Sequence, residues 1–124
     1  MIMVIDDEKF VAQATQMVLS NAGMEVVVAT TAAEAQETWT RRKAEIDLLV
    51  TDFELDGSIN GEQLARDFCA ERPVLKSVLV TAHPFDDRFA GRTEGVDFFQ
   101  KPWDSHAVVK AIHLLMAVDP VAPF

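Results

Sequence analysis

The sequence predicts an α/β protein, a (βα)₅ doubly wound sandwich in which helices cover both faces of a parallel sheet. Segments that favour a strand alternate five times with segments that favour a helix along the 124 residues. The strand-like segments are short and apolar, which is typical of strands buried on both faces of a parallel sheet. Hydrophobic residues make up 49% of the chain, which is enough for one packed domain.

Each predicted strand is a brief apolar run, and a helical segment follows each one, as parallel strands require. β-branched residues, which favour the extended backbone, are frequent in these runs. The predicted strands are residues 2–5, 25–29, 47–52, 76–81 and 96–100.

The first helix is predicted from apolar residues at helical spacing, most of which are expected to face the core. These residues are Phe10, Ala14, Met17 and Val18. Gly23 is expected to end the helix. In the second helix, Thr31 and Glu34 form a capping box, with Thr31 bonding forward and Glu34 bonding back. This helix is expected to run to about residue 45, with Ala35 and Trp39 on one face.

Two further helices have recognisable end signals, and residues 84–92 favour a short one. Asn60 is expected to cap a helix over 61–71 that Pro73 ends. The last helix begins after a cap at residue 104 or 105. Its predicted core-facing residues are Val108, Ile112, Leu115 and Met116.

Residues 1–118 are expected to form the domain, and residues 119–124 a tail or the start of a linker.

The composition of the chain disfavours several classes of function. The net charge of −9 disfavours a nucleic-acid surface and binding to anionic membranes. With one cysteine, Cys69, no internal disulfide can form. No apolar stretch reaches the roughly 18 residues that span a bilayer, so we expect a soluble, cytoplasmic protein.

Polar residues of related chemistry occur at the ends of four predicted strands. Asp6 and Asp7 follow the first strand, Asp52 ends the third, Thr81 ends the fourth and Lys101 follows the fifth. In open α/β sheets, ligands bind at the carboxyl ends of the strands. Three carboxylates suit Mg²⁺, and a hydroxyl with an ammonium suits a phosphoryl group. Each residue alone is weak evidence; together they indicate Mg²⁺-dependent phosphoryl chemistry, in which a carboxylate can form an acyl phosphate.

Over residues 2–118 the chain resembles the receiver domain of two-component response regulators. The motifs that carry the resemblance are VIDDE at 4–8, LVTD at 49–52, VTA at 80–82 and FQKP at 99–102. The resemblance implies a flavodoxin-like fold with strand order 2-1-3-4-5. It also implies a phosphorylation-controlled signalling switch, with no separate small-molecule substrate and no enzyme activity beyond its own phosphorylation and slow dephosphorylation.

The resemblance assigns roles at the metal site. Asp52 is similar to the phospho-acceptor, which takes a phosphoryl group from a phosphohistidine of a histidine kinase or phosphotransfer protein. Asp7 resembles a direct Mg²⁺ ligand, and Asp6 resembles one that acts largely through water. The backbone carbonyl of Glu54 is expected to complete the protein's share of the metal ligands.

The resemblance also implies a switch. Thr81 resembles the hydroxyl that moves towards the phosphoryl group, Lys101 the lysine that pairs with it, and Phe98 the switch aromatic. The surface formed by 84–92, the fifth strand and the last helix would change, and in the family it often dimerises or binds an output partner. The first helix, around Phe10, is where the family docks its phosphodonor.

The chain departs from the family pattern after the acceptor. Asp56 stands where the family usually has Pro, and the loop 57–61 is one residue longer than the commonest form. Glu54 and His83 occupy positions that tune dephosphorylation in the family, and we expect them to set the lifetime of the phosphorylated form.

Three alternative functions compete with this interpretation. One is a receiver that works only by binding; the complete acidic set argues against it, and the altered loop keeps it open. Another is a phosphatase of the haloacid-dehalogenase-like class, but it would need a D-x-D motif where this chain has Asp6-Asp7-Glu8. The third is a flavodoxin-like nucleotide carrier, whose phosphate-binding loop would be rich in Ser, Thr and Gly rather than acidic.

Overall fold

The computed structural model describes residues 1–55, 59–81, 96–100 and 112, with backbone alone for 81 and 96–100. The strands are β1 (Ile2–Ile5), β2 (Val26–Ala29), β3 (Leu48–Asp52), β4 (Lys76–Thr81) and β5 (Val96–Gln100). The helices are α1 (Lys9–Asn21), α2 (Ala32–Arg42) and α3 (Gly61–Glu71). The predicted helix over 84–92, the last helix except Ile112, and residues 119–124 lie outside the described part of the chain.

All described strands run parallel in one sheet of order β2-β1-β3-β4-β5. The predicted α/β fold and the order β2-β1-β3-β4 are confirmed, and β5 pairs with the outer side of β4. Ile5 pairs with Thr51, and Asp52 pairs with Val80. This register brings the carboxyl ends of the central strands together at one edge of the sheet.

The core consists of two clusters, one on each face of the sheet. Because side chains alternate along a strand, Met3 and Ile5 of β1 belong to one cluster, whereas Ile2 and Val4 belong to the other. Helices α2 and α3 cover the first cluster. Helix α1 and Ile112, which is buried as predicted, cover the second. Helices therefore lie on both faces, as the doubly wound prediction requires.

The sequence prediction for α1 chose the wrong face. The residues predicted to face the core are exposed in the structure: Phe10 (84%), Met17 (65%), Val18 (36%) and Ala14. The buried residues are Ala12, Thr15 and Leu19. Small Ala12 lets the helix approach the sheet closely, and the Thr15 hydroxyl donates to the carbonyl of Val11 at 2.9 Å, so its burial leaves no unsatisfied polar atom.

The predicted helix ends are largely confirmed. Gly23, with φ of 88°, follows the last turn of α1. The Thr31 hydroxyl accepts from the Glu34 N–H at 3.0 Å, as in a capping box. The Glu34 carboxylate, however, accepts from the N–H and hydroxyl of Thr30, both at 2.7 Å. These two hydrogen bonds lower the pKa of Glu34 below its ordinary value. Helix α2 ends at Arg42, three residues earlier than the sequence suggested.

Helices α2 and α3 pack through an aromatic pair. The rings of Trp39 and Phe68 stack with centroids 4.5 Å apart and planes 12° from parallel. The indole N–H of Trp39 donates to the Glu71 carboxylate at 2.9 Å, and Lys43 pairs with the same carboxylate at 3.2 Å. The predicted core face of α2, with Ala35 and Trp39, is therefore confirmed.

Candidate functional site

Three aspartates meet at the carboxyl edge of the sheet, where β1 and β3 lie side by side. Asp6 and Asp7 follow β1, and Asp52 is the last residue of β3. Carboxylate oxygens of the three residues all lie within 4.8 Å of one another. Asp6 and Asp52 are each only 6% exposed, whereas Asp7 is half-buried. The cluster is therefore a buried acidic pocket that reaches solvent on the side of Asp7.

Backbone groups orient two of these carboxylates. The Asp6 N–H donates to the Ala29 carbonyl at 3.1 Å, which holds the residue beside β2. The Glu8 N–H donates to Asp6 Oδ1 at 2.9 Å, and the Glu54 N–H donates to Asp52 Oδ1 at 3.3 Å. Each of these carboxylates is thus held by the amide two residues further along the chain.

The chain leaves β3 through a connection that is tied to the sheet. The Phe53 N–H donates to the Val80 carbonyl of β4 at 2.8 Å, and the Gly61 N–H donates to the Phe53 carbonyl at 2.9 Å. Leu55 and Ile59 pack against the core cluster beneath α3. The start of α3 is consequently held against the end of β3.

The pocket fits a small divalent cation. Hard cations such as Mg²⁺ prefer carboxylate oxygens. With metal–oxygen bonds of about 2.1 Å, opposite ligands of an octahedral Mg²⁺ are about 4.2 Å apart. Oxygens already within 4.8 Å of one another need only small adjustments to share one ion. Closely spaced carboxylates repel one another, and a cation relieves this repulsion.

The other predicted site residues are described only in part. Thr81 ends β4 at the same edge of the sheet, opposite Gln100 of β5. Phe98 lies within β5, opposite Leu79. Glu54, half-buried, follows Asp52 by two residues. The predicted residues that fall outside the described part of the chain are Lys101, Asp56 and His83.

Sequence reasoning missed two residues at this edge, Thr51 and Gly61. The sequence identifies Thr51 only as part of the third strand and its LVTD motif, yet the Thr51 hydroxyl donates to the Asp52 carbonyl at 3.0 Å. The sequence identifies Gly61 only as the first residue of a helix. A polar side chain next to Asp52 within an apolar strand was the signal that could have identified Thr51. No sequence signal distinguishes Gly61 from an ordinary loop glycine.

Within the described residues, no helix has the length and apolarity to cross a membrane.

Comparisons with known proteins agree on one family. A family model described as the response regulator receiver domain matches residues 2–113. The transcriptional regulatory protein GlrR of Escherichia coli (strain K12) is 29% identical over 113 residues, which are 90% of this chain and 25% of that protein. The chain thus spans about a quarter of the length of this curated relative.

Solved structures show the same fold. The response regulator receiver protein from Sinorhizobium medicae WSM419 superposes with a TM-score of 0.86 at 25% identity, covering 94% of both chains. A response regulator receiver domain protein from Clostridium thermocellum gives a TM-score of 0.85 at 25% identity, covering 94% of this chain and 93% of the other.

Proposed function

Because the chain belongs to the response regulator receiver domain family, we propose that it is a phosphorylation-controlled signalling switch of a two-component system. Members of this family are typically signalling domains rather than enzymes. The observation that carries the proposal is the buried pocket of Asp6, Asp7 and Asp52 at the carboxyl edge of the sheet. Burying several carboxylates together is costly unless neighbouring groups or a cation offset their charge.

In the proposed reaction, Asp52 accepts a phosphoryl group from a phosphohistidine. A carboxylate oxygen of Asp52 forms a bond to phosphorus while the phosphorus–nitrogen bond breaks. The electron pair of that bond returns to the imidazole nitrogen of the donor, and the product on this chain is an acyl phosphate. The Glu54 N–H, which holds Asp52 Oδ1, fixes one oxygen so that the carboxylate presents a defined face to the donor.

We assign the metal ligands as Asp7 directly, Asp6 largely through water, Asp52, and the backbone carbonyl of Glu54. When bound, Mg²⁺ would neutralise charge on the phosphoryl oxygens and orient the group towards Asp52. The chain's contribution is to hold the carboxylates close together before the ion arrives, through the backbone hydrogen bonds from Glu8 and Glu54.

The phosphorylated site would act through Thr81 and Lys101. The new group adds negative charge and acceptor oxygens that a hydroxyl and an ammonium can bind. Movement of Thr81 towards this group would let Phe98 turn inward, since both lie on neighbouring strands, β4 and β5. The surface formed by 84–92, β5 and the last helix would then change, and we propose that it forms a homodimer or binds an output partner in the cytoplasm.

The proposed phosphodonor is a histidine kinase or a histidine phosphotransfer protein that docks on α1. Phe10 is 84% exposed and Met17 is 65% exposed, and they lie seven residues apart on the same side of the helix. Exposed apolar side chains of this size mark an interaction surface when they lie together. Phe10 follows Asp7 by three residues, so a partner seated there would lie close to the acidic pocket.

Mass spectrometry tests the proposal. The protein is incubated with Mg²⁺ and phosphoramidate, a small phosphohistidine analogue, and the wild type is compared with Asp52→Asn. Gain of one phosphoryl group by the wild type alone is the expected result. A gain by both proteins would mean that Asp52 is not the acceptor. Mg²⁺ binding without any gain would favour the receiver that works only by binding, which Asp56 and the longer loop after the acceptor keep open.

The decay of the phosphorylated protein tests the role of the residues near the acceptor. We expect Glu54→Ala and His83→Ala to change the rate of dephosphorylation, because both positions adjoin the path of the reacting water in the family. Unchanged decay in both variants would remove these residues from the proposal.

A further inference from the structure

Gly61, the first residue of α3, lies against the backbone of Asp52. A Cβ atom at this position would overlap the Asp52 carbonyl oxygen, and it would lie 2.8 Å from Thr51 Oγ1 and 3.0 Å from the Asp52 carbonyl carbon. The chief obstacle is backbone, which cannot turn aside as the end of a flexible side chain can. Any residue larger than glycine must therefore displace either the start of α3 or the Asp52 peptide.

Backbone conformation does not explain this glycine. Among the described residues, the only glycine with positive φ is Gly23, and a Cβ atom there would meet nothing within 4 Å. Gly61 has an ordinary helical position, where alanine would favour the helix more. The close approach of α3 to Asp52 is thus the physical reason that remains for glycine at position 61.

Hydrogen bonds hold the Asp52 peptide on its other sides. The Thr51 hydroxyl donates to the Asp52 carbonyl at 3.0 Å, and Thr51 is fully buried. The N–H of the following residue, Phe53, donates to the Val80 carbonyl of β4 at 2.8 Å. The Phe53 carbonyl accepts from the Gly61 N–H at 2.9 Å. The Asp52 peptide is therefore enclosed between β4 and the first turn of α3.

Asn60 strengthens this arrangement from the helix side. Its side-chain oxygen accepts from the Gln63 N–H at 2.8 Å, which fixes where α3 begins. The connection is therefore fixed at both of its ends, at Phe53 and at Gly61.

We propose that Gly61 and Thr51 are positioning residues for the acceptor. They hold the Asp52 peptide, and through it they hold the Asp52 carboxylate within reach of Asp6 and Asp7. This inference rests on the proposed function where it concerns phosphoryl transfer, but its effect on Mg²⁺ binding can be measured separately. A displacement of about 1 Å in a reacting group can reduce a rate by roughly 100-fold.

The experiment compares Gly61→Ala with Gly23→Ala, a matched control. Both variants add one methyl group, but only the first adds it against Asp52. For each protein, the Mg²⁺ dissociation constant and the rate of phosphoryl gain from phosphoramidate at saturating Mg²⁺ are measured, together with the midpoint of thermal unfolding. Gly61→Ala is expected to weaken Mg²⁺ binding about 10-fold, as loss of supporting groups around a metal site does. Its rate should fall by at least about 10-fold.

The control separates positioning from stability. Gly23→Ala is expected to lower the midpoint of unfolding, because alanine is strained at positive φ, while both its affinity and its rate stay within about twofold of wild type. Adding Thr51→Ala to Gly61→Ala should not restore either quantity, since the main overlap is with the Asp52 backbone. Wild-type affinity and rate in Gly61→Ala, or restoration by the second substitution, would overturn the inference.

Thr51 provides a test that does not depend on the folding of Gly61→Ala. Thr51→Val keeps the shape of the side chain but loses the hydroxyl, whereas Thr51→Ser keeps the hydroxyl. We expect weaker Mg²⁺ binding in the first and near wild-type binding in the second, and equal affinities would overturn the role of Thr51. If the wild type binds Mg²⁺ but accepts no phosphoryl group, the proposed function fails, and the Mg²⁺ affinities still decide whether these residues position Asp52.

Discussion

The stacked pair of Trp39 and Phe68 gives a quantitative prediction for the stability of the fold. Phe68 is 3% exposed and belongs to the cluster that α2 and α3 cover. Replacement of a buried Phe by Ala costs about 3–5 kcal/mol through lost burial and the cavity left behind. Roughly 0.5–1.5 kcal/mol of this is expected from the ring pair itself, whose centroids are 4.5 Å apart. Because domains are stable by only about 5–15 kcal/mol, Phe68→Ala should remove a large share of the stability.

Phe10→Ala is the matched control for this prediction. The same side chain is deleted from α1, where it is 84% exposed, so the expected change in the free energy of unfolding is within about 0.5 kcal/mol. Urea unfolding followed by far-ultraviolet circular dichroism measures both variants without dependence on the tryptophan signal that the substitution would alter. Similar losses in the two variants would refute the assignment of these faces, and a loss below about 1 kcal/mol in Phe68→Ala would refute the packing argument.

Three further predictions concern the site and the helix ends. Mg²⁺ is expected to raise the midpoint of thermal unfolding, because a ligand bound only by the folded state stabilises that state. Asp7→Asn should remove most of this rise. An equal rise in the wild type and the variant would exclude Asp7 as a Mg²⁺ ligand. Asn60→Ala should cost about 1 kcal/mol in urea unfolding, since it removes the cap on the Gln63 N–H, and an unchanged midpoint would contradict this. The hydrogen bonds from Thr30 lower the pKa of Glu34 in the folded protein. The stability that this carboxylate contributes is therefore complete above pH 4.5, the pKa of Glu34 in the unfolded chain, and is lost as the pH falls through the lower pKa of the folded state. Glu34 is exposed and solvent-screened, so the effect is small; Glu34→Gln should reduce the acid-induced loss of stability, and an identical pH profile would argue against the assignment.

Much of the fold could be predicted because the strands of a parallel sheet carry an unmistakable pattern. The residues of β1 are apolar up to Asp6, which lies at the edge of the sheet. The residues of β3 are apolar up to Thr51 and Asp52, which lie at the same edge. Strand ends in such a fold lie at a common edge, so the meeting of the aspartates followed from the chain order. Convergence was predictable because it depends on topology rather than on side-chain detail.

The face of α1 was not predictable from spacing. Two faces of this helix carry residues at the same helical spacing, one face beginning with Phe10 and the other with Ala12. Hydrophobicity favours the first face, but the helix packs on the sheet through the second face, in which small Ala12 and Thr15 lie with Leu19. The large apolar side chain of Phe10 is therefore left exposed.

The role of Gly61 was hidden for a different reason. In the sequence, Asn60-Gly61 is an ordinary cap followed by a permissive residue, and both functions are local. The overlap that excludes a Cβ atom is with Asp52, nine residues earlier, and it exists only once α3 packs against the end of β3. A contact between elements of this kind leaves no periodic signal in a single sequence.

The acidic pocket links the stability of the core to the chemistry of the site. Two unit charges 4.8 Å apart repel by roughly 3.5 kcal/mol at an effective dielectric of about 20. Repulsion among the three carboxylates therefore opposes the pairing of β1 with β3 to the extent that neighbouring groups do not offset it. That pairing persists because separating the two strands would expose both core clusters, and because backbone N–H groups stabilise the carboxylates of Asp6 and Asp52. A cation that binds in the pocket offsets this repulsion. By reciprocity, the free energy by which bound Mg²⁺ stabilises the pairing of β1 with β3 equals the free energy by which that pairing strengthens Mg²⁺ binding.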